Sequence, residues 1–78
     1  MENEIKDYLY KGRIVFYNAE KGYGFIRVDN SSREKLFFHR TSVNGDTEPA
    51  RRQHVGFNEI KSNLKGSYAV DIDIIPEG

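Results

Sequence analysis

Seventy-eight residues with twelve basic and twelve acidic side chains, 13% aromatics and no cysteine fill one small domain, because a chain this short buries only about 60% of its unfolded surface. A two-domain enzyme is excluded, and so are disulfide staples and thiolate metal sites. A net charge of zero likewise excludes a partner held by bulk charge alone.

The leader MENEIKDYLY is acidic rather than basic with an apolar centre, and no window approaches 18 uninterrupted apolar residues, so neither a signal peptide nor a membrane span is expected. A cytoplasmic chain fits these features best. Residues 1–9 read as an N-terminal extension with at most a helical turn over 1–8, and residues 10–76 as the domain. From Lys11 to Asn18, KGRIVFYN is β-branched and aromatic, which predicts a first strand. Asn18-Ala19-Glu20 then turns.

KGYGFIRV, residues 21–28, alternates Tyr23, Phe25 and Arg27 against Gly22, Gly24, Ile26 and Val28, the pattern of a second strand. DNSSREK is a polar loop, and LFFH after it sets Leu36 and Phe38 against Phe37 and His39 on a third strand. A long polar connection through Asn44-Gly45-Asp46 and Pro49, with room for one helical turn over 41–48, leads to HVGFNEI, a fourth strand carrying Val55 and Phe57. Asn63 and Gly66 bracket a further turn. SYAVDIDII then closes the chain as a fifth strand, with Ala69, Asp71 and Asp73 opposite Val70, Ile72 and Ile74.

Five strands without helices point to an all-β fold, and closing the sheet into a five-stranded antiparallel barrel removes its exposed edges. Ile14, Ile26, Val28, Leu36, Phe38, Val55, Phe57, Val70 and Ile72 supply the interior. That interior leaves no deep pocket, so neither a small-molecule substrate nor a cofactor is expected.

With Ile26, Leu36 and Phe38 inward, a period of two sends Tyr23, Phe25, Phe37 and His39 outward on neighbouring strands. A clustered aromatic face is normally a contact surface. Each base stacked on such a ring contributes about 1–3 kcal/mol whatever its identity, which makes single-stranded nucleic acid the natural partner. Charge supports this: residues 1–10, 11–40 and 41–78 carry −2, +4 and −2, so the strands bearing the rings are basic. Lys21, Arg27, Arg33, Lys35 and Arg40 surround the rings with phosphate-seeking groups.

GRIVFYNAEKGYGFI followed by LFFHRTSV resembles the cold-shock domain, whose pattern runs Gly, β-branched residue, Trp-Phe-Asn, then Lys-Gly-aromatic-Gly-Phe-Ile, then Val-Phe-Val-His. Lys21–Ile26 matches the first ribonucleoprotein motif and Leu36–His39 the second. Lys65-Gly66 and Ala69 fall where the family closes with Lys/Arg-Gly-Pro-x-Ala, so the likeness spans roughly residues 11–75. It implies an oligonucleotide-binding (OB) barrel that holds single-stranded RNA or DNA on strands one to three. It also implies a platform of Lys21, Tyr23, Phe25, Phe37 and His39, with Phe16 standing at the family's tryptophan, and a role as RNA chaperone or regulator of transcription or translation.

Departures from the pattern are Val15 at a frequent lysine, Arg40 at an aromatic, Ser67 at a proline and a loop over 44–52 without aromatics. They predict weaker or shorter-footprint binding, which Arg40 partly offsets by stacking its guanidinium on a base.

Strict alternation from Ile14 sends Phe16 inward and Tyr17 outward, whereas the family pattern sends Phe16 to the ligand through a bulge. The sequence leaves both open, and both residues enter the candidate site. His39 has only His54 as a fellow histidine, so stacking or hydrogen bonding to a base outweighs metal binding or acid–base work. Gly22 and Gly24 lack the Gly-Lys-Ser/Thr that a phosphate loop needs and read as sites of strand bending and close ligand approach. Arg51-Arg52 reads as a solvated loop pair. The rival reading is a protein-interaction module, docking a polypeptide or a second copy through the same aromatic face or a free strand edge. A monomer is expected, with a homodimer as the alternative.

Overall fold

A computed structural model of the chain describes residues 8–29 and 35–76. The predicted extension falls outside them except for Tyr8 and Leu9, as does Arg33. Seven strands form: β1 (Tyr10–Asn18), β2 (Tyr23–Val28), β3 (Lys35–His39), β4 (His54–Phe57), β5 (Glu59–Asn63), β6 (Gly66–Val70) and β7 (Asp73–Ile75). The helical turn expected over 41–48 is a single 3-10 turn at Arg40–Ser42.

The predicted second strand begins two residues late because Lys21 and Gly22 close the β1–β2 turn. Asn18 accepts from both, through Oδ1 from the Lys21 N–H at 3.0 Å and through its carbonyl from the Gly22 N–H at 2.7 Å. Gly22 completes the turn at φ 75°, a conformation that costs glycine nothing.

All strands belong to one curled sheet of order β5-β6-β3-β2-β1-β4-β7. The expected five-stranded closed antiparallel barrel is therefore corrected in three respects: seven strands, a sheet that ends at β5 and β7, and one parallel pairing, β3 with β6 at Phe37↔Tyr68. The extra strands arise because the last two predicted strands each break in the middle. At Asn58 the chain leaves β4, which pairs with β1 and β7, for β5, which pairs with β6. At Asp71 the backbone turns to φ 56° between β6 and β7, a region that aspartate tolerates better than most residues.

The core is one cluster of Ile14, Ile26, Leu36, Phe38, Val55, Phe57, Ala69 and Ile72. Full burial of an aromatic such as Phe38 or Phe57 contributes about 1.5–3 kcal/mol. Two of the predicted interior residues differ. Val28 is half-buried against the cluster and Val70 is half-buried outside it, while Ala69 is 0% exposed. Ala69 and Ile72, three residues apart, both point inward because the turn at Asp71 absorbs the odd step. On β6 the expected faces are thus exchanged, since a shift of one residue exchanges the two sides of a strand.

Candidate nucleic-acid interface

The outer face of β1–β3 is organised by one extra residue. β1 pairs with β2 as Ile14↔Ile26 and then as Phe16↔Phe25, two steps on one strand against one on the other. Val15 is the bulged residue, and the step reverses the alternation beyond it. Phe16 is therefore outward, 41% exposed, and Tyr17 turns to the core side, stacked on Phe38 at 6.0 Å between ring centroids. Strict alternation along β1 fails here, and Tyr17 is not among the outer rings.

Gly24 lies under this bulge. A Cβ there would collide with the Phe16 carbonyl oxygen and come within 2.8 Å of the Phe38 ring. The close approach predicted at this glycine is thus made by the protein's own bulge rather than by a ligand.

Residues directly across neighbouring strands share a face, so the pairings build three outer rows. The first is Asn18, Tyr23 and His39; the second Phe16, Phe25 and Phe37; the third Arg13, Arg27 and Lys35. Ring contacts tie the first two rows together. Tyr23 stacks on Phe37 at 5.6 Å and meets Phe25 edge-on at 6.1 Å, while Phe16 lies 5.8 Å from Tyr23 and 6.0 Å from Phe25. Phe37, 39% exposed, meets Phe25 edge-on at 6.0 Å. Mutual packing fixes the rings before any ligand arrives, which lowers the ordering cost of binding.

Beyond Phe37 the second row continues to Tyr68 through the parallel pairing. A notch there is lined by Phe25 and Phe37 together with Asn63, Lys65, Ser67 and Tyr68 of the β5–β6 hairpin. Sequence reasoning missed Tyr68 because it read Ala69 as outward.

His39 has its ring oriented by its own chain. Nδ1 accepts from the Thr41 N–H at 3.2 Å and lies 3.0 Å from Thr41 Oγ1, capping the 3-10 turn. In the neutral ring the proton therefore sits on Nε2. Gly22 leaves room beside this nitrogen, since a Cβ on it would lie 3.4 Å away and 3.2 Å from Arg40 Nε.

Tyr17 stands apart from the three rows, and Arg40 lies outside their pairings but next to His39, its Nε beside the same Gly22 position as the His39 ring. The Tyr17 hydroxyl donates to Glu48 Oε2 at 3.1 Å. Partial burial, reinforced by the Glu48 hydrogen bond and charge, raises the phenol above its ordinary pKa, and Arg40 opposes the rise. Lys21 is exposed on the β1–β2 turn. Of the predicted site residues the fold brings together Phe16, Tyr23, Phe25, Arg27, Phe37 and His39, and it sets Tyr17, Lys21 and Arg40 outside the rows.

Among the described residues no cluster of three or more His, Asp or Glu could hold a metal ion, and no helix is long and apolar enough to cross a membrane.

Residues 10–75 match the family model of the 'Cold-shock' DNA-binding domain. The chain is 33% identical over 64 residues to cold shock protein CspB of Geobacillus stearothermophilus, covering 80% of this chain and 92% of that protein. It is 36% identical over 67 residues to cold shock-like protein CspC of Escherichia coli K12, covering 83% and 94%. Among solved structures it is similar to drosophila Unr CSD456 with a TM-score of 0.69 and 26% identity. That match takes in 86% of this chain and 26% of the other.

Proposed function

The chain belongs to the cold-shock domain family, and from that membership we propose that it binds single-stranded RNA or DNA by stacking bases on Phe16, Tyr23, Phe25 and Phe37. The observation that carries this reading is the contact network joining these four rings on one face, with a basic row beside them. His39 adds a hydrogen-bonding edge at one end, and Tyr68 with Lys65 adds an apolar notch with a cation at the other. Arg27, Lys21 and Arg40 serve the phosphates, and Tyr17 supports the platform from below.

No bond is made or broken. A protein that prefers unpaired strands shifts weak hairpins toward their open form, which is the work of an RNA chaperone or of a regulator of transcription or translation. We place this activity in the cytoplasm, with the monomer as the binding unit.

The test is titration of labelled single-stranded and duplex oligonucleotides of matched sequence. Preference for the single strand, lost when Phe25 and Phe37 become alanine in a folded protein, is expected. Equal affinity for both forms would refute base stacking.

A further inference from the structure

We infer that a second element of the interface, a basic groove beside the Val15 bulge, grips the phosphodiester backbone of the strand where it runs off the rings. It is lined by Arg13, Ile14 and Val15 on β1, Arg27 on β2, Arg51 and Arg52 before β4, and His54 on β4. The inference rests on the stacking reading and extends it, because Arg51, Arg52 and His54 come from parts of the chain to which that reading gives no role.

Three observations converge on an anion. First, the basic residues face one another in register: Arg13 lies directly across from Arg27 on one side and from His54 on the other. The like charges of Arg13 and Arg27, placed opposite one another on a sheet, destabilise it, and among the described residues none of the four arginines has a carboxylate within 4.0 Å.

Second, Arg52 holds φ 77°, a left-handed conformation that costs a residue with a Cβ about 1 kcal/mol or more. Third, this strained turn is fixed rather than loose. The Arg52 N–H donates to the Ile14 carbonyl at 2.7 Å, and the Ile14 N–H donates to the Gln53 carbonyl at 3.0 Å. Arg52 is thereby pinned against β1 one residue before the bulge, with Arg51 next to it in the chain.

The place of the groove identifies its occupant. Arg27 is two residues from Phe25 on the same face of β2, a separation of about 7 Å, so groove and rings share a boundary. A strand whose bases stack on Phe16 and Phe25 has its next phosphates within reach of the arginines.

The experiment compares oligodeoxythymidines of four and twelve nucleotides, each titrated at 50 and 200 mM salt. The proteins are the parent chain, Arg51→Gln/Arg52→Gln, Arg52→Gly, and Phe25→Ala/Phe37→Ala. The double glutamine variant is expected to bind the tetramer as the parent does and the dodecamer about tenfold more weakly. Its salt slope on the dodecamer should fall by about 1.4, at 0.7 per phosphate contact on a single strand.

Arg52→Gly removes one charge while giving the φ 77° position its most comfortable residue, so part of the affinity loss without loss of stability is expected. Parental affinity and parental slope on the dodecamer in the double glutamine variant would overturn the groove. The ring variant separates the two ideas: weakened binding of both lengths leaves stacking standing whatever the groove does, and unweakened binding of both removes stacking and the groove's premise together.

Discussion

Phe16 stands directly across from Phe25 with 6.0 Å between ring centroids, although Ile14, two residues earlier, stands across from Ile26. That single-residue gain on β1 makes one surface carry four rings, and it depends on space at Gly24. Gly24→Ala is therefore expected to destabilise the fold by about 1–3 kcal/mol, the usual range for an overpacked core, because the added methyl meets the Phe16 carbonyl and the Phe38 ring. Denaturant midpoints with an unchanged slope measure it. Parental stability would mean that the bulge has slack the geometry does not show.

Neighbouring phenylalanines on β3 should behave as opposites. Phe37 faces outward and Phe38 is 1% exposed in the core. Phe37→Ala is expected to weaken single-strand binding by about 1–3 kcal/mol with stability changed by less than about 1 kcal/mol, whereas Phe38→Ala should lose about 3–5 kcal/mol of stability. Paired calorimetric and binding measurements decide, and an unaltered affinity after Phe37→Ala would argue against stacking. Phe16→Trp offers a second reading in a chain that has no tryptophan: a larger ring at the same exposed position should tighten binding and report it by quenching.

The contrast between Phe37 and Phe38 was legible in the sequence, because strict alternation along LFFH needs no knowledge of other strands. So was the outward placing of Tyr23 and Phe25. What the pattern did not settle was where alternation breaks: a bulge before Phe16 stood as one of two open alternatives, and the other breaks escaped it. Val15 adds a residue to β1, Asn58 redirects the fourth strand, and Asp71 reverses the step between Ala69 and Ile72. Each break depends on what the neighbouring strand does, and a period of two carries no trace of it. Tyr68 and the Arg52 turn were hidden for the same reason, since only the pairings Phe37↔Tyr68 and Arg13↔His54 bring them to the rings and to the basic row.

Asp71 carries the most consequential of these breaks. Its carboxylate Oδ1 accepts from Asn44 Nδ2 at 2.8 Å, and Asp73 Oδ1 accepts from the same nitrogen at 2.8 Å. Asp71→Asn keeps a side chain suited to φ 56° and should stay within about 0.5 kcal/mol of the parent. Asp71→Val puts a β-branched residue in a left-handed conformation and is expected to lose about 1–3 kcal/mol. Comparable midpoints for the two variants would show that the turn relaxes freely.

His39 has two duties that substitution can separate. Asparagine is among the best N-terminal caps, so His39→Asn should retain the bond to the Thr41 N–H and the parental stability while losing the ring. His39→Ala is expected to cost about 1 kcal/mol as well. Both should weaken single-strand binding equally. If only the alanine variant binds weakly, the histidine acts through the cap rather than through contact with the strand.

Tyr17 supplies a pH dependence whose sign is fixed by its surroundings. Partial burial, then the hydrogen bond and charge of Glu48, raise its phenol above the ordinary tyrosine value, against the pull of Arg40. The neutral phenol is thus favoured in the folded protein. The stability it contributes is fully present below the unfolded-state value of about 10 and is lost as pH rises through the higher folded value. Removing the raising charge by Glu48→Gln should lower the Tyr17 titration toward the ordinary value, and removing the opposing charge by Arg40→Gln should raise it further. Carbon-13 shifts of labelled tyrosine rings, followed from pH 8 to 12, give both directions in one experiment. Movement of the two variants in the same direction would break the assignment, because Glu48 and Arg40 act on this hydroxyl with opposite sign.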